Sequence, residues 1–283
     1  MSAVVLYGRE VSKQIRAELK VEVDSIKKMG LHPGLAVVIV GNDPASRVYV
    51  NNKKKACEEV GIRSFEYALP EETSEHELIQ LVETLNEDES VHGILVQLPL
   101  PKHINEERVL LKISPVKDVD AFHPFNIGKI MIGNYDFLPC TPAGIMELIH
   151  RAGICLEGKE CVVIGRSNIV GKPMSMLLLH DNATVTICHS RTKNLKDVCK
   201  RADVLVVAIG KPEIIDADYV KPGAVVIDVG INRLPDGKLV GDVNFESVSE
   251  IASYITPVPG GVGPMTITML MKNTIKAAQL SKE

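Results

Sequence analysis

Clustered metal ligands and paired cysteines are missing from this sequence. Its six cysteines are scattered, and it contains neither a Cys-x-x-Cys pair nor a His-x-x-x-His pair. Zinc sites need closely spaced ligands, and disulfide frameworks need densely placed cysteines. We therefore predict no metal site, and we expect the cysteines to be reduced and mostly buried.

Long apolar runs and a large charge of either sign are also absent. No apolar run reaches the roughly 18 residues that a membrane span needs, and the N-terminus lacks the basic and apolar segments of a signal peptide. The net charge of −4 does not indicate a surface for nucleic acid or for an anionic membrane. These absences favour a cytoplasmic protein without membrane or nucleic-acid partners.

The pattern that is present is an alternation of strands and helices in two blocks. A length of 283 residues suits two domains, and the alternation predicts an α/β fold with parallel sheets. In the first block the predicted strands are Gly34–Val40, Phe65–Leu69 and Gly93–Gln97, and the predicted helices run from about Gly8 to Met29, from Pro44 to Val60, from a capping box of Ser74 and Glu77 to about Leu85, and from Asn105 to Ile113. A loop containing Asp118, Asp120 and Pro124 follows.

The second block predicts a doubly wound, Rossmann-like dinucleotide-binding domain. Its predicted strands are Cys161–Ile164, Thr184–Cys188, Val204–Ala208 and Ala224–Val229. A helix capped by Thr141, with Pro142 at its first position, precedes them and runs to Gly153, and a final helix runs from Met265 to about Gln279. We place this domain at residues 140–265 and the other domain at residues 1–139 plus 266–283.

The turn after the first strand of the second block has the features of a pyrophosphate site. Gly165 follows the strand and Gly171 enters a helix, whose N-terminus offers free N–H groups and a positive dipole end. Ser167 stands where the Gly-x-Gly-x-x-Gly pattern has its second glycine, so a plain strand-to-helix turn remains an alternative. A Walker loop and a nucleophile elbow are excluded by the spacing of the glycines and by Pro173 and Ile169.

The cofactor preference is read at the end of the second strand of this block. An acidic residue there would bind the ribose hydroxyls of NAD, but the segment Cys188–Thr192 has no carboxylate. Arg166 and Arg191 offer guanidinium groups for a phosphate, and Ser190 offers a hydroxyl. We therefore predict NADP as the cofactor.

Candidate catalytic residues lie in the first block. Tyr49 and Lys53 are four residues apart and share one helix face, although by themselves they are better explained by a solvated basic face. Gln97 ends a buried strand, where open α/β sheets bind ligands. Asp120 lies in a loop that also suits a simple turn, and Gly260 and Gly261 permit close approach of a ligand.

Together these residues resemble one family, the bifunctional methylenetetrahydrofolate dehydrogenases/methenyltetrahydrofolate cyclohydrolases. The resemblance covers essentially the whole chain. It rests on Tyr49–Lys53 (YVNNK), Val96–Pro101 (VQLPLP), Lys117–Asp120 (KDVD), Pro139–Pro142 (PCTP), Gly165–Gly171 (GRSNIVG) and Pro257–Thr266 (PVPGGVGPMT). Several such blocks in order are far more specific than any one of them.

The resemblance implies an NADP-dependent oxidation of 5,10-methylenetetrahydrofolate to the methenyl form, which is then hydrolysed to 10-formyltetrahydrofolate. It implies a catalytic role for Lys53, tuned by Gln97, with Tyr49 stacking on the folate's aminobenzoyl ring and Asp120 binding the pterin. The other expected substrate-binding residues are Leu98, Pro259, Gly260 and Gly261. The expected cofactor-binding residues are Gly165, Arg166, Ser167, Ile169, Ser190, Arg191, Gly210 and Ile231. The family is usually homodimeric.

One departure and three alternatives accompany this interpretation. Ala121 follows Asp120 where the family often has glycine, which could shift the pterin loop. The chain could be a family member that keeps only the dehydrogenase, a shikimate-dehydrogenase-like oxidoreductase, or a non-catalytic NADP-binding regulator. The presence of Tyr49, Lys53, Gln97 and Asp120 argues against the first and third, and the block Pro257–Thr266 against the second.

Overall fold

The computed structural model describes residues 2–282, which divide into two compact units. The six-stranded unit comprises Met1–Lys13 and Thr141–Thr266, and the three-stranded unit comprises Gln14–Cys140 and Ile267–Glu283. This division differs from the sequence-based one at the N-terminus, because strand β1 (Val4–Val5) pairs in parallel with β11 (Tyr254–Ile255) of the six-stranded sheet. A two-residue strand is too short for a periodic pattern to reveal it.

The three-stranded unit has a small parallel sheet in the order β3-β2-β4. All seven residues of the central strand are buried, which explains its uninterrupted apolar sequence. Helix α1 (Gly8–Lys28) belongs to this unit from Gln14 onward. The strands are β2 (Gly34–Val40), β3 (Arg63–Leu69) and β4 (Gly93–Val96), and the other helices are α2 (Pro44–Val60), α3 (Glu75–Glu87), α4 (Glu106–Leu110) and α5 (Pro124–Met131). The predicted capping box of Ser74 and Glu77 is present at the start of α3.

Two local signals set the ends of helix α2, which carries Tyr49 and Lys53. The Asp43 side chain accepts a hydrogen bond from the Ser46 backbone N–H at 2.7 Å, and the helix then begins with a proline. Gly61 ends the helix in the left-handed conformation, with φ of 93°. The sequence therefore contains all that is needed to place this helix.

Three helices differ from the sequence prediction. Helix α5 lies where a loop was predicted. The prediction was wrong because three of its eight residues are a proline, an asparagine and a glycine, which are typical of turns. Helix α6 (Cys140–Arg151) begins before Thr141, so Thr141 and Pro142 occupy its first turn and Thr141 is not its cap. Helix α10 (Val262–Leu280) begins before Met265 and includes Pro264 in its first turn. A proline is tolerated there because the N–H groups of the first turn have no partner within the helix.

The six-stranded unit has one parallel sheet in the order β1-β11-β8-β7-β5-β6. Its further elements are β5 (Glu160–Ile164), α7 (Gly171–His180), β6 (Thr184–Cys188), α8 (Leu195–Cys199), β7 (Val204–Val207), a short 3-10 helix (Ala217–Tyr219), β8 (Val225–Asp228), β9 (Asn232–Arg233), β10 (Leu239–Val240) and α9 (Phe245–Ser249). The strand order reverses between β5 and β7, so loops from both strands meet at their carboxyl ends. Doubly wound sheets bind ligands at such a point, and the predicted doubly wound fold is confirmed.

Two findings bear on the absences noted in the sequence. Five of the six cysteines are buried and all six are free thiols; only Cys155 is exposed. Within residues 2–282, no helix is both long enough and apolar enough to cross a bilayer.

Candidate functional site

A lysine and a glutamine meet at the carboxyl end of the three-stranded sheet. Helix α2 directs Lys53 toward the end of β4, where its Nζ donates a hydrogen bond to Gln97 Oε1 at 2.9 Å. Gln97 is itself held, because its backbone N–H donates to the Val38 carbonyl and its Nε2 donates to the Leu98 carbonyl at 2.7 Å. The amide thus has one possible orientation, with its oxygen toward the lysine. Tyr49 lies one turn earlier on α2, and its ring is substantially exposed.

Burial and charge shift the protonation of this lysine and of a neighbouring aspartate. Burial lowers the pKa of Lys53, against the opposing attraction of Asp120, Cys140 and Cys57. Burial raises the pKa of Asp120, against the opposing attraction of Lys53. Both groups are therefore displaced toward their neutral forms, which brings a lysine amine closer to proton transfer at physiological pH. The structure thus brings Lys53, Gln97 and Asp120 into one electrostatic cluster.

The loop that carries Asp120 is tied down by a buried carboxyl group two residues earlier. Asp118 accepts hydrogen bonds from the backbone N–H groups of Phe122 and His123 at 3.3 and 2.8 Å, and from Asn126 Nδ2 at 2.8 Å. Burial raises the pKa of Asp118, and these hydrogen bonds oppose the shift. Asn126 was missed by the sequence prediction, because it lies on the unpredicted helix α5.

Two further side chains support the same loop and were not predicted. Asn273 Nδ2 donates to the carbonyls of Val119 and Leu138 at 2.8 and 2.9 Å. The Cys140 thiol lies 3.5 Å from Asp120 Oδ1, and burial together with Asp120 holds the pKa of this thiol well above its usual range. Only the tertiary fold joins these positions, although the PCTP motif pointed to the cysteine.

Ala121 adopts a backbone conformation that favours glycine. Its φ is 55°, and its side chain is fully buried directly after Asp120. An alanine in this region costs about 1–2 kcal/mol relative to its preferred conformation. The loop forms with the Ala121 N–H donating to the Asp118 carbonyl at 3.0 Å, so alanine occupies a position whose backbone conformation suits glycine better.

In the six-stranded unit, the turn after β5 is built so closely that side chains are excluded. Gly165 has φ of 138°, and a Cβ there would lie 2.4 Å from the Ala208 carbonyl oxygen. A Cβ at Gly171 would lie 2.3 Å from the Gly165 oxygen. Ser167, in the place of the motif's second glycine, accepts hydrogen bonds from the N–H groups of Val170 and Gly171 at 3.1 and 3.3 Å. The serine hydroxyl therefore satisfies two backbone N–H groups at the helix entry, which gives the imperfect motif a physical reason.

The remaining predicted cofactor residues lie at the same edge of this sheet. Ser190 and Arg191 follow β6 and are exposed, in a turn where the Arg191 N–H donates to His189 Nδ1 at 3.1 Å. Arg166 and Ile169 are exposed on the turn after β5. Gly210 follows β7 and Ile231 follows β8. Because the strands are parallel, these positions share one ligand-facing edge.

The predicted residues Pro259, Gly260 and Gly261 belong to the six-stranded unit, whereas Tyr49 and Lys53 belong to the three-stranded unit. Gly260 has φ of 107° and its carbonyl accepts a hydrogen bond from the Arg9 N–H at 3.0 Å. A Cβ at Gly261 would lie 2.5 Å from the Pro257 carbonyl oxygen. Both glycines therefore have local structural reasons in addition to any contact with a ligand.

These features define a class of protein, a two-domain α/β enzyme with a dinucleotide-binding unit and a separate unit that holds a half-buried lysine. Two family models match the chain: "Tetrahydrofolate dehydrogenase/cyclohydrolase, catalytic domain" at residues 6–120, and the "NAD(P)-binding domain" of the same family at residues 139–282. The chain belongs to the tetrahydrofolate dehydrogenase/cyclohydrolase family. The sequence-based recognition of this family is confirmed.

Several proteins are similar to this chain over nearly its whole length. A protein of Acetivibrio thermocellus named bifunctional protein FolD is 70% identical, over 99% of this chain and 98% of that protein. The crystal structure of a bifunctional FolD methylenetetrahydrofolate dehydrogenase/cyclohydrolase from Campylobacter jejuni has a TM-score of 0.97 at 52% identity, covering 99% of this chain and all of that one. A Trypanosoma brucei enzyme complexed with NADP and an inhibitor has a TM-score of 0.96 at 41% identity, covering 100% and 99% of the two chains.

Proposed function

We propose that this chain oxidises 5,10-methylenetetrahydrofolate with NADP and hydrolyses the methenyl product to 10-formyltetrahydrofolate. The bifunctional activity and the NADP cofactor, both predicted from the sequence, are confirmed by the family models and by full-length relatives named for both activities. The observation that carries the proposal furthest in this chain is the hydrogen bond between Lys53 and Gln97 beside Asp120. A protein that only binds NADP has no use for a half-buried lysine whose pKa is lowered and which is held by a glutamine.

The turn after β5 fits a dinucleotide. Its glycines leave room that a Cβ would fill, and the strand leads through this turn into the N-terminus of helix α7. Gly165, Arg166, Ser167 and Ile169 would hold the cofactor here. When bound, NADP supplies the hydride acceptor. The protein itself needs no base for this step, so its contribution is to fix the distance and orientation of the two reactants.

The cofactor preference rests on the end of β6. Ser190 and Arg191 are exposed there and offer a hydroxyl and a guanidinium group to the 2′-phosphate of NADP. With Arg191 from this strand end and Arg166 from the turn after β5, the ligand-facing edge provides two cations. The segment contains no carboxylate that would bind the free ribose hydroxyls of NAD.

The hydrolytic step needs a group that orients water and accepts a proton. Lys53 has both properties, because burial lowers its pKa and Gln97 fixes its position. In our proposal the Lys53 amine orients the water and manages its proton, and Gln97 holds the amine in place. Asp120 binds the pterin and stabilises the protonated lysine. The exposed ring of Tyr49 stacks on the aminobenzoyl group, and Leu98 adds a contact with the substrate.

The domain assignment and the setting of the enzyme are also proposals. The three-stranded unit binds the folate and the six-stranded unit binds NADP, in agreement with the order of the two family models. The family resemblance implies a homodimer, and the sequence favours the cytoplasm as its location. Size-exclusion chromatography with light scattering tests the dimer, for which a monomeric mass is the contrary result.

The function is tested by mixing the purified protein with tetrahydrofolate, formaldehyde and either NADP or NAD, and following reduced cofactor by absorbance. We expect reduction with NADP and much less with NAD. Loss of methenyltetrahydrofolate in the same sample measures the second activity. A folded protein that binds NADP but reduces nothing would instead be a regulator, and one that lacks only the hydrolysis would be a dehydrogenase.

A further inference from the structure

A fully buried aspartate organises two loops at the ligand edge of the six-stranded sheet. Asp242 is 0% exposed. Its Oδ2 accepts hydrogen bonds from the N–H groups of Ile209 and Gly210 at 2.7 and 2.9 Å. Its Oδ1 accepts hydrogen bonds from the Lys211 N–H at 2.8 Å and from Asn232 Nδ2 at 2.9 Å. One carboxyl group therefore holds the loop after β7 to the segment after β8.

The arrangement requires two oxygen acceptors and could not be made by an amide. Four N–H donors point at the two oxygens of Asp242. An asparagine would present one oxygen and one NH₂ group, so it would place a donor against donors on one side. Three of the four donors are consecutive backbone N–H groups, which form a concave anion-binding nest. The protein's own carboxyl group occupies this nest.

A second buried carboxyl group holds Asp242 in place. Asp228 accepts hydrogen bonds from the Asp242 N–H at 3.0 Å and from the Gly230 N–H at 2.9 Å. The packing leaves no room for side chains between them, since a Cβ at Gly230 would lie 2.3 Å from Asp242 and a Cβ at Gly241 would lie 1.8 Å from Asp228 Oδ2. The position of Asp242 is thus determined from both sides.

The two loops that Asp242 joins carry predicted cofactor residues. Gly210 lies in the loop after β7, and Ile231 precedes Asn232 after β8. The loop after β7 also adjoins the dinucleotide turn, where Gly165 packs against the Ala208 carbonyl. We infer that Asp242 is a positioning residue for the NADP site, which holds Gly210 and Ile231 in their binding geometry without itself contacting the cofactor. The inference rests on the proposed function, because it takes those residues as part of the NADP site.

Preorganisation of this kind acts on cofactor affinity more than on the chemical step. A loop that is ordered before binding avoids the entropic cost of ordering it during binding. Loss of the carboxyl group should therefore raise KM and Kd for NADP, while turnover at saturating NADP changes little. A residue that only stabilised the fold would lower the amount of active protein and leave the KM of the remaining fraction unchanged.

The test compares Asp242→Asn with Asp236→Asn, the same change at an exposed turn of the same unit. Steady-state kinetics give KM for NADP and kcat, calorimetry gives the Kd of NADP, and hydrolysis of methenyltetrahydrofolate without NADP reports on the three-stranded unit. For Asp242→Asn we expect KM and Kd to rise by about tenfold or more, the effect of losing one hydrogen bond to a charged group. Both kcat and the hydrolysis rate should stay within about threefold of the parent.

A milder variant covers the case in which Asp242→Asn does not fold. Asn232→Ser removes one donor to Asp242 from a half-buried position, and it should raise KM for NADP by about threefold or more. A folded Asp242→Asn protein with unchanged KM and Kd overturns the inference. If that variant is unfolded, unchanged values in Asn232→Ser overturn it. A parent protein that does not reduce NADP contradicts the proposed function instead.

Discussion

Replacing Lys53 by methionine separates the two proposed reactions. Methionine keeps an unbranched side chain of similar length in this half-buried position but removes the amine. Gln97 Oε1 then loses its donor at 2.9 Å. The pKa of Asp120 should rise further, because Lys53 supplies the attraction that opposes the effect of burial. The substitution therefore removes the only group in the proposed mechanism that manages the proton of water.

The expected loss is large for one activity and small for the other. General acid–base catalysis contributes about 10²–10⁴-fold, so hydrolysis of methenyltetrahydrofolate should fall by that factor in the Lys53→Met variant, equivalent to about 3–5 kcal/mol of activation free energy. Hydride transfer needs no protein base. Reduction of NADP should therefore remain within about tenfold of the parent, a decrease that reflects altered substrate contacts.

The pH dependence of hydrolysis gives the second half of this prediction. Burial places the pKa of Lys53 below its usual value, and the neutral amine is the form that accepts a proton. The hydrolysis rate of the parent should thus rise with pH and become constant above the pKa of Lys53. The Lys53→Met variant should lose this rise. The rate is measured across the pH range by the decay of methenyltetrahydrofolate absorbance, corrected for the rate without enzyme.

Lys55→Met is the matched control, because Lys55 is exposed on the same helix. It should leave both activities within about twofold of the parent. Lys53 does not manage the proton if the Lys53→Met variant retains most of the hydrolysis, or if its residual hydrolysis has the same pH profile as the parent. Equal loss of both activities would likewise refute a role confined to the proton transfer.

Three other substitutions test the six-stranded unit. Gly165→Ala puts a Cβ 2.4 Å from a backbone oxygen at φ of 138°, so it should lower the free energy of unfolding by about 2 kcal/mol or more and weaken NADP binding. Unfolding in denaturant measures the loss of stability. The control Gly158→Ala should lose less, because φ is also positive there but the space is open. Arg191→Ala should raise KM for NADP by about tenfold and leave KM for NAD nearly unchanged, because only NADP has the 2′-phosphate. The control Lys193→Ala should change neither KM. Equal effects of Arg191→Ala on both cofactors would contradict the contact with the 2′-phosphate. Burial raises the pKa of Asp228 to about 6, so its contribution to stability is present in acid and is lost as pH rises through that value. Between pH 4 and 7 the parent should therefore lose up to about 3 kcal/mol of free energy of unfolding that the Asp228→Asn variant does not lose. Parallel curves of stability against pH for the two proteins would contradict this.

Elements could be predicted where neighbouring residues in the sequence carry a clear signal for them. Helix α2 has a capping aspartate, a proline and a terminal glycine in its own sequence, so Lys53 could be placed on a helix face. Strand β4 is a buried apolar run, so Gln97 could be placed at a ligand edge. Strand β1 could not be predicted because it has only two residues. Helix α5 could not be predicted because its eight residues include a proline, an asparagine and a glycine, which are typical of turns.

The α/β class, the turn after β5 and the residue types of both candidate sites could be predicted from the sequence alone, because glycines, prolines and helix caps act within a few residues of their own position. Which of these groups meet depends on how the chain packs. Lys53 and Gln97 are 44 positions apart, Asn273 reaches Val119 across 154 positions, and Asp242 reaches the Ile209 N–H across 33. The shifted pKa values of Lys53 and Asp120 also arise there, since burial and nearby charges exist only once the chain has packed.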